Sequence, residues 1–236
     1  MPSLADAAVQ VISTGAPVLF LDTCSLLDVI RAPARGLTDC VEVASELLAM
    51  AVGPPVQFSL VVGSFVPGEW HDHERKVLEL LTKHLQGMQE QAAHFHDLCA
   101  HFGLTLPFGL PQYLASGLAA RLHDTSRRLL QAALVLDRHP DTVARAFDRV
   151  ALTKRRPCRK GNQLEDCTIF EEYLQVCRHL RAGGFAGRAV FCTSNTEDYC
   201  APGFTPHPEI AADCAAVGLS FTSTLPWALS ELKRMP

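Results

Sequence analysis

Four acidic residues of this sequence have the type and placement that a divalent cation requires. In chain order they are Asp22, Glu69, Asp166 and Asp198. Four carboxylates on separate segments repel one another unless a cation neutralises them, and an all-oxygen ligand set suits Mg²⁺ or Mn²⁺. Such an ion polarises the oxygens of a phosphodiester and lowers the pKa of the water that attacks it in line. The four acids are therefore predicted to be both the metal ligands and the catalytic residues of a hydrolase.

Polar side chains beside these acids are predicted to contact the substrate. Thr23 and Ser25 follow the first acid, and Ser194 and Asn195 precede the fourth. Their hydroxyl and amide groups can hydrogen-bond a carboxylate or the scissile phosphate. Asp28, one helical turn beyond Ser25, is interpreted as a solvated or structural acid, with an auxiliary metal ligand as the alternative.

A basic stretch lies directly before the third acid. Five of the seven residues from 154 to 160 are Lys or Arg, and Arg155, Arg156, Arg159 and Lys160 are the candidates for binding substrate phosphates. If they do so, affinity falls steeply with salt; the alternative is an ordinary solvated surface. Aromatic residues are only 7% of the chain, so no extended platform for stacking single-stranded bases is evident.

A strand is predicted shortly before the first acid and another before the fourth. Residues 18–21 form a continuous apolar run that ends at Asp22, as expected of a strand buried on both faces of a parallel sheet. A helix is predicted to follow, with Thr23 or Ser25 near its N-cap. Asp198 is placed in the loop after a second such strand, residues 189–192. Ligand sites in open parallel sheets form outside the carboxyl ends of the strands, so these acids are predicted to meet at one edge.

The remaining pattern alternates strands with helices. Further strands are predicted at 57–62 and 220–222, and helices at 38–52, from 66 onward, at 164–181, 208–217 and 225–233. This alternation predicts an α/β fold with a central, mostly parallel sheet. Residues 69–149 are predicted to be mostly helical, without strand-like alternation and broken at 103–111. The chain is thus expected to be one domain, 1–236, in which 70–150 is a helical insertion or cap.

Composition limits the class of protein. The 236 residues carry a net charge of −4, with 48% hydrophobic and 19% charged residues, which is typical of a globular domain. The sequence shows no run of eighteen apolar residues and no secretory signal. Nine scattered cysteines without a Cys-x-x-Cys pair predict reduced thiols and a cytoplasmic protein. The histidines at 71, 73, 94, 96 and 101 are interpreted as residues of solvated helix faces rather than metal ligands.

The acidic motifs resemble those of the PIN-like nucleases. The motifs are Asp-Thr-x-Ser at 22–25, Val-Pro-Gly-Glu-Trp at 66–70, Asn-Gln-Leu-Glu-Asp-Cys at 162–167 and Thr-Ser-Asn-Thr-Glu-Asp-Tyr at 193–199. The resemblance covers about residues 17–68 and 155–228, and it is strongest to the subgroup with a long helical insertion between the second and third acids. It implies a three-layer α/β/α fold, with Asp22, Glu69, Asp166 and Asp198 as the first to fourth acids. The implied activity is endonucleolytic cleavage of RNA, often single-stranded, with Mg²⁺ or Mn²⁺.

Other functions compete with this one. A phosphatase of the haloacid-dehalogenase type needs a second Asp two residues after the first, where this chain has Cys24. A catalytically silent PIN-like module that binds RNA or a protein partner is the stronger alternative. DNA stays open as the substrate, and the helical insertion is a candidate surface for a homodimer or a protein partner.

Overall fold

A five-stranded parallel sheet forms the centre of the computed structural model, which describes residues 1–157 and 164–234. Its strands are β1 (Val18–Leu21), β2 (Ser59–Val62), β3 (Leu134–Val135), β4 (Ala189–Cys192) and β5 (Leu219–Thr222). They lie in the order β3-β2-β1-β4-β5, and every neighbouring pair is parallel. The predicted α/β class with a parallel sheet is therefore confirmed.

The two central strands set the position of the site. Every residue of β1 and β4 is buried, so helices cover both faces of the sheet there. The strand order reverses between β1 and β4, because the chain builds outward from β1 to β2 and β3 and then returns to β4 and β5 on the other side. Open sheets bind ligands at this reversal, outside the carboxyl ends of the strands.

Ten α-helices surround the sheet in the described parts of the chain. They are α1 (Leu4–Thr14), α2 (Thr23–Arg35), α3 (Thr38–Val52), α4 (Val66–His101), α5 (Leu118–Ala132), α6 (Pro140–Phe147), α7 (Leu164–Ala182), α8 (Thr196–Tyr199), α9 (Pro208–Ala216) and α10 (Leu225–Lys233). A π-helical segment, Asp148–Thr153, continues α6. The predicted bounds of α3 and α10 are confirmed, and those of α7 and α9 differ by one residue at the end.

Helix α1 was not predicted, although its signals are ordinary ones. The side chain of Ser3 accepts a hydrogen bond from the backbone N–H of Asp6, which caps the helix at its start. Gly15, with φ of 64°, ends it in the left-handed conformation. The apolar residues at helical spacing, Leu4, Ala7, Ala8 and Val11, are all buried. Helix α1 packs on α7 and completes the cover of one sheet face.

The long segment between β2 and β4, predicted as a helical insertion or cap, contributes a strand to the sheet itself. Helix α4 runs unbroken for 36 residues, about 54 Å at the usual rise per residue. The break predicted at 103–111 is confirmed, since the next helix starts at Leu118. The prediction that the block contains no strand is wrong, because β3 pairs with Val61 and Val62 of β2. A strand of two residues is too short to show alternation.

Helix α5 ties this block to the start of α2. Its Ser126 is fully buried and accepts a hydrogen bond from Trp70 Nε1 over 2.9 Å. The same hydroxyl donates to the backbone carbonyl of Leu26 over 2.7 Å. Residues 118–132 are therefore part of the core that supports α2, in addition to lying within the predicted insertion.

Two further predictions concern the whole chain. Seven cysteines of the described residues are free, as predicted, but Cys167 takes part in a disulfide bond, so the prediction of reduced thiols throughout is wrong there. Within residues 1–157 and 164–234, no helix has the length and apolar character needed to cross a bilayer.

Candidate active site

Asp22 lies where β1 ends, and two hydrogen bonds fix its side chain. It is the N-cap of α2, a position that had been assigned to Thr23 or Ser25, and its Oδ1 accepts from the backbone N–H of Thr23 over 2.7 Å. Its Oδ2 accepts from the hydroxyl of Thr193, which follows β4, over 2.6 Å. Asp22 is only 2% exposed. The carboxylate therefore sits at the strand reversal, held from both central strands.

Glu69 reaches the same edge from the first turn of α4. The hydroxyl of Thr23 donates a hydrogen bond to Glu69 Oε2. Two consecutive residues, Asp22 and Thr23, thus connect the first acid with the second. The predicted placement of Glu69 in an early helical turn is confirmed.

Asp198 enters from the other side of the reversal. It lies in the single helical turn of α8, so its predicted position in a loop is wrong; the capping residue Asn195 begins this turn soon after β4 ends. The side-chain amide of Asn195 donates to Asp198 Oδ2 over 3.0 Å. Asp198 Oδ1 is buried and has no hydrogen-bond partner. A buried carboxylate oxygen in this state normally binds a ligand, an ion or a water.

Asp166 occupies the first turn of α7, as predicted. The hydroxyl of Tyr199 donates to the backbone carbonyl of Asp166 over 3.3 Å, which joins this turn to α8. Further along α7, the hydroxyl of Tyr173 donates to the carbonyl of Leu21 over 2.5 Å and accepts from the N–H of Gly63 over 2.8 Å. Helix α7 is therefore fixed to the ends of both β1 and β2.

Burial, with neighbouring negative charges, raises the pKa values of Asp22, Glu69 and Asp166. Burial, followed by the charges of Asp22, Glu69 and Asp198, raises the pKa of Asp166 to about 8. Burial also raises the pKa of Glu69 to about 7, against the lowering effect of the hydrogen bond from Thr23, and the charge of Asp22 adds to the rise. Burial raises the pKa of Asp22, although the hydrogen bonds from Thr193 and Thr23 oppose the rise. Four segments of the chain thus bring their acids within electrostatic reach of each other.

The donor set fits a hard divalent cation in its chemistry, but no ready-made cage is present. In the described ranges, no group of three or more His, Cys, Asp or Glu side chains is close enough together to hold a metal ion. The candidate ligand atoms are nevertheless all carboxylate oxygens, which Mg²⁺ and Mn²⁺ prefer. Asp198 Oδ1 is a buried acceptor with no partner, and burial together with neighbouring negative charges raises the pKa values of Glu69 and Asp166.

The predicted substrate-contacting residues mostly serve the acids instead. Thr23 bonds Glu69, and Asn195 bonds Asp198. Ser25 is 2% exposed and donates to the backbone carbonyl of Cys192 over 3.2 Å. Of the four polar residues, Ser194 alone has no side-chain hydrogen bond within the described part of the chain, and it is half-buried.

The two described candidates for phosphate binding, Arg155 and Arg156, already have partners. Arg155 bonds Asp213 over 3.1 Å, and Arg156 donates to the backbone carbonyls of Glu197 and Asp198 over 3.1 and 3.5 Å. These contacts put Arg156 beside the turn that carries the fourth acid. The predicted phosphate contacts of Arg159 and Lys160 lie outside the described residues.

Two residues of the site were missed from sequence. Thr193 orients Asp22, and the register of β1 with β4 explains why: Leu21 pairs with Cys192, so the residues that follow them stand side by side. Glu165, next to the predicted ligand Asp166, brings a negative charge near Glu69 and helps to raise the pKa of Glu69. The contact of Thr193 with Asp22 could not be predicted from sequence, because it depends on the pairing of β1 with β4.

Comparisons with known proteins add no relative: no family model, no curated protein and no solved structure matches this chain. The likeness of its acidic motifs to those of PIN-like nucleases therefore stays a prediction.

Proposed function

We propose that this chain is a metal-dependent endonuclease of the PIN-like type that hydrolyses phosphodiester bonds of single-stranded RNA. The observation that carries the proposal is the gathering of Asp22, Glu69, Asp166 and Asp198 at the carboxyl ends of β1 and β4. Buried carboxylates whose charges oppose one another are costly, and enzymes keep such clusters where they bind ions or move protons.

The chain's own residues hold and orient this cluster. Asp22, Glu69, Asp166 and Asp198 would be the ligands of Mg²⁺ or Mn²⁺, which when bound stabilises charge on the phosphate and makes an attacking hydroxide available near neutral pH. Thr193 and Thr23 fix the carboxylates of Asp22 and Glu69 before the cation binds. Such preorganisation limits the reorganisation that binding requires.

A catalytically silent module that binds RNA or a protein partner is the second candidate. It is favoured by the absence of a preformed three-residue metal cage among the described residues.

Cleavage assays separate the two candidates. The purified chain is incubated with an end-labelled pool of mixed RNA in Mn²⁺, in Mg²⁺ and in EDTA. We expect cleavage that needs the metal and that falls by about 100-fold or more in Asp22→Asn and in Asp198→Asn. Glu197→Gln, which changes the exposed neighbour of Asp198, is the matched control and should keep wild-type activity.

The outcomes of these assays distinguish the nuclease from the silent module. An intact RNA pool in both metals would favour the silent module, above all if Asp22→Asn and wild type bind RNA equally well. Parallel reactions with single-stranded DNA of the same sequences decide the substrate, since faster cleavage of DNA would overturn the assignment to RNA. Cleavage that persists in EDTA would contradict the metal site.

A further inference from the structure

Exposed apolar side chains are concentrated at the far end of α4 and in the segment that follows it. Eighteen large hydrophobic side chains are exposed in residues 1–157 and 164–234, and seven of them lie within residues 95–114. These seven, three phenylalanines and four leucines, are called the distal patch. Soluble monomers rarely expose a large contiguous apolar patch, and such a patch usually marks a surface that binds a partner.

Helix α4 contributes three members of the distal patch. Phe95, Leu98 and Phe102 are 57%, 47% and 74% exposed. Their spacing of three and then four residues places them on one face of the helix. A face with this apolar spacing normally packs against another part of a protein, yet within the described ranges these side chains stay open to solvent.

The segment between α4 and α5 contributes the other members, which are Leu104, Phe108, Leu110 and Leu114. At its start, the N–H of Leu104 donates to the carbonyl of Cys99 over 2.9 Å. Further on, the N–H of Leu114 donates to Gln89 Oε1 over 3.4 Å. Because both contacts are made with α4, the segment turns back along the last turns of this helix. The two parts of the distal patch are therefore neighbours.

The distal patch is large enough to form the centre of a stable interface. A phenylalanine side chain offers about 200 Å² of surface, so the exposed fractions of 57%, 74% and 63% leave about 400 Å² of the three rings in solvent. A standard interface buries about 800 Å² on each partner. The rings alone supply about half of that area, and the four leucines add to it.

The charges around the distal patch limit the kind of partner. Asp97 is the only Asp, Glu, Lys or Arg from residue 91 to residue 120. Nucleic acids and anionic membrane surfaces attract basic residues, and this stretch contains no Lys or Arg. The centres of protein–protein interfaces, by contrast, are poor in charge and rich in aromatic residues. A surface of matching size and apolar character is present on a second copy of the chain.

We propose that the distal patch is the contact between two copies of this chain in a homodimer. The same patch of each copy faces the other across a two-fold axis, which closes the assembly at two chains. Leu98 follows Glu69 by 29 residues of one unbroken helix, about 44 Å. The contact therefore lies far from the acidic cluster, and both clusters of the dimer stay outside it.

Charged substitutions within the distal patch test this contact. Light scattering and sedimentation velocity measure the mass of the particle over a range of protein concentrations. We expect wild type to be a dimer with a dissociation constant of about 1 µM or below. Phe95→Glu and Phe102→Glu each place a charge in the contact and should raise this constant by about 100-fold. Glutamate is a good helix former at exposed positions, so circular dichroism should show that both variants fold.

Phe147→Glu is the matched control for Phe95→Glu. Phe147 has the same side chain and the same exposed fraction, 57%, but it lies at the end of α6, outside the distal patch. Its substitution should leave the dissociation constant unchanged. Equal weakening of the dimer by Phe147→Glu and Phe95→Glu would show that the contact lies elsewhere.

Hydrogen exchange locates the contact without any substitution. Wild type is compared at protein concentrations below and above the dissociation constant. Amides of residues 91–114 should exchange more slowly in the dimer. A dimer that protects other residues and leaves 91–114 unchanged would overturn the proposal. A wild-type chain that is still monomeric at about 100 µM would overturn it too, even if a different protein bound the patch.

The dimer and the proposed nuclease can fail separately. A wild-type dimer that leaves RNA intact in Mn²⁺ would refute the nuclease and leave the contact standing. A monomeric wild type that cleaves RNA would refute the contact and leave the nuclease standing. If both proposals hold, Phe95→Glu should cleave RNA at the wild-type rate per chain, because the substitution lies far from the acids.

Discussion

Threonine hydroxyls decide the direction in which the first two carboxylates of the site point. Thr193 donates to Asp22 and Thr23 donates to Glu69, so both acids are oriented by neutral groups that keep their charges in place. The Thr193 hydroxyl also accepts a hydrogen bond from the backbone N–H of Asn195 over 3.1 Å, so it helps to hold the turn that leads into α8. Groups of this kind behind metal ligands tune affinity without touching the metal.

Replacing Thr193 by valine should weaken metal binding, because the carboxylate of Asp22 loses the group that orients it. Valine keeps the shape of the side chain and removes two hydrogen bonds, the one donated to Asp22 Oδ2 and the one accepted from the backbone N–H of Asn195. We expect Mn²⁺ affinity, measured by calorimetric titration, to fall by about 10- to 100-fold. Thr82→Val, on the exposed face of α4, is the control. Equal affinities for Thr193→Val and wild type would show that Thr193 does not orient a metal ligand.

At the scale of single residues, sequence predicted the acids better than their partners. Asp22 and Glu69 could be placed because an apolar strand or a helix start lies next to each of them. Thr193 could not, because its role depends on the pairing of β1 with β4, which are far apart in sequence. Arg156 was expected to face a phosphate, but backbone carbonyls of α8 are within its reach.

Among the elements, α7 packs tightly against the residues that follow β2. The backbone N–H and the hydroxyl of Ser64 both donate to the buried carboxylate of Glu172, which lies on α7. A Cβ atom built on Gly63, immediately after β2, would come within 2.9 Å of Glu172 Oε2 and 3.1 Å of Ile169 Cγ1. Glycine is thus required here because α7 approaches the backbone closely.

Gly63→Ala should push α7 away from the sheet. We expect the free energy of unfolding to fall by about 1–3 kcal/mol, as for other overpacked sites, and metal binding to weaken because α7 carries Asp166. Gly68→Ala is the matched control: it lies in the first turn of α4, with nothing within 4 Å of a new Cβ. Alanine there should leave stability unchanged or raise it by about 0.5–1 kcal/mol. Denaturant unfolding would contradict this packing argument if both variants behaved alike.

The elements that sequence missed are those with weak local signals. Strands β1 and β4 could be predicted from continuous apolar runs of four residues, β2 from a largely apolar stretch, and β5 as a short strand at 220–222. Strand β3 could not, since two residues define no periodicity and only the neighbouring edge of β2 makes them a strand. Helix α1 has capping residues that are recognisable in the sequence. Its apolar face is explained by its packing against α7, which is distant in the sequence.

For the molecule as a whole, the acidic cluster links stability to pH. Burial and neighbouring charges raise the pKa of Asp166 from 3.8 to about 8 and that of Glu69 from 4.5 to about 7. The folded chain therefore holds more protons than the unfolded chain between pH about 4 and about 8. In that window the free energy of unfolding falls as pH rises, and the decline ends above the folded pKa values.

The metal-free chain should accordingly melt at a lower temperature at pH 8 than at pH 5. Asp166→Asn, which stays uncharged throughout, should lower the slope of melting temperature against pH. Saturating Mn²⁺ should stabilise wild type most at the higher pH, because the ligands bind it as carboxylates. Thermal melts in EDTA and in Mn²⁺ measure both effects. Identical slopes for wild type and Asp166→Asn would contradict the linkage.

Strand β3 limits how this molecule can be taken apart. Residues 70–150 look like a module that could be excised and replaced by a short linker. Excision would remove β3 and bare the backbone N–H and C=O groups along one side of β2, next to the strand from which Asp22 emerges. An uncovered edge of this kind recruits strands from other chains. A minimal version of this protein should therefore retain Leu134 and Val135, and a cut in the chain is better tolerated at 103–111.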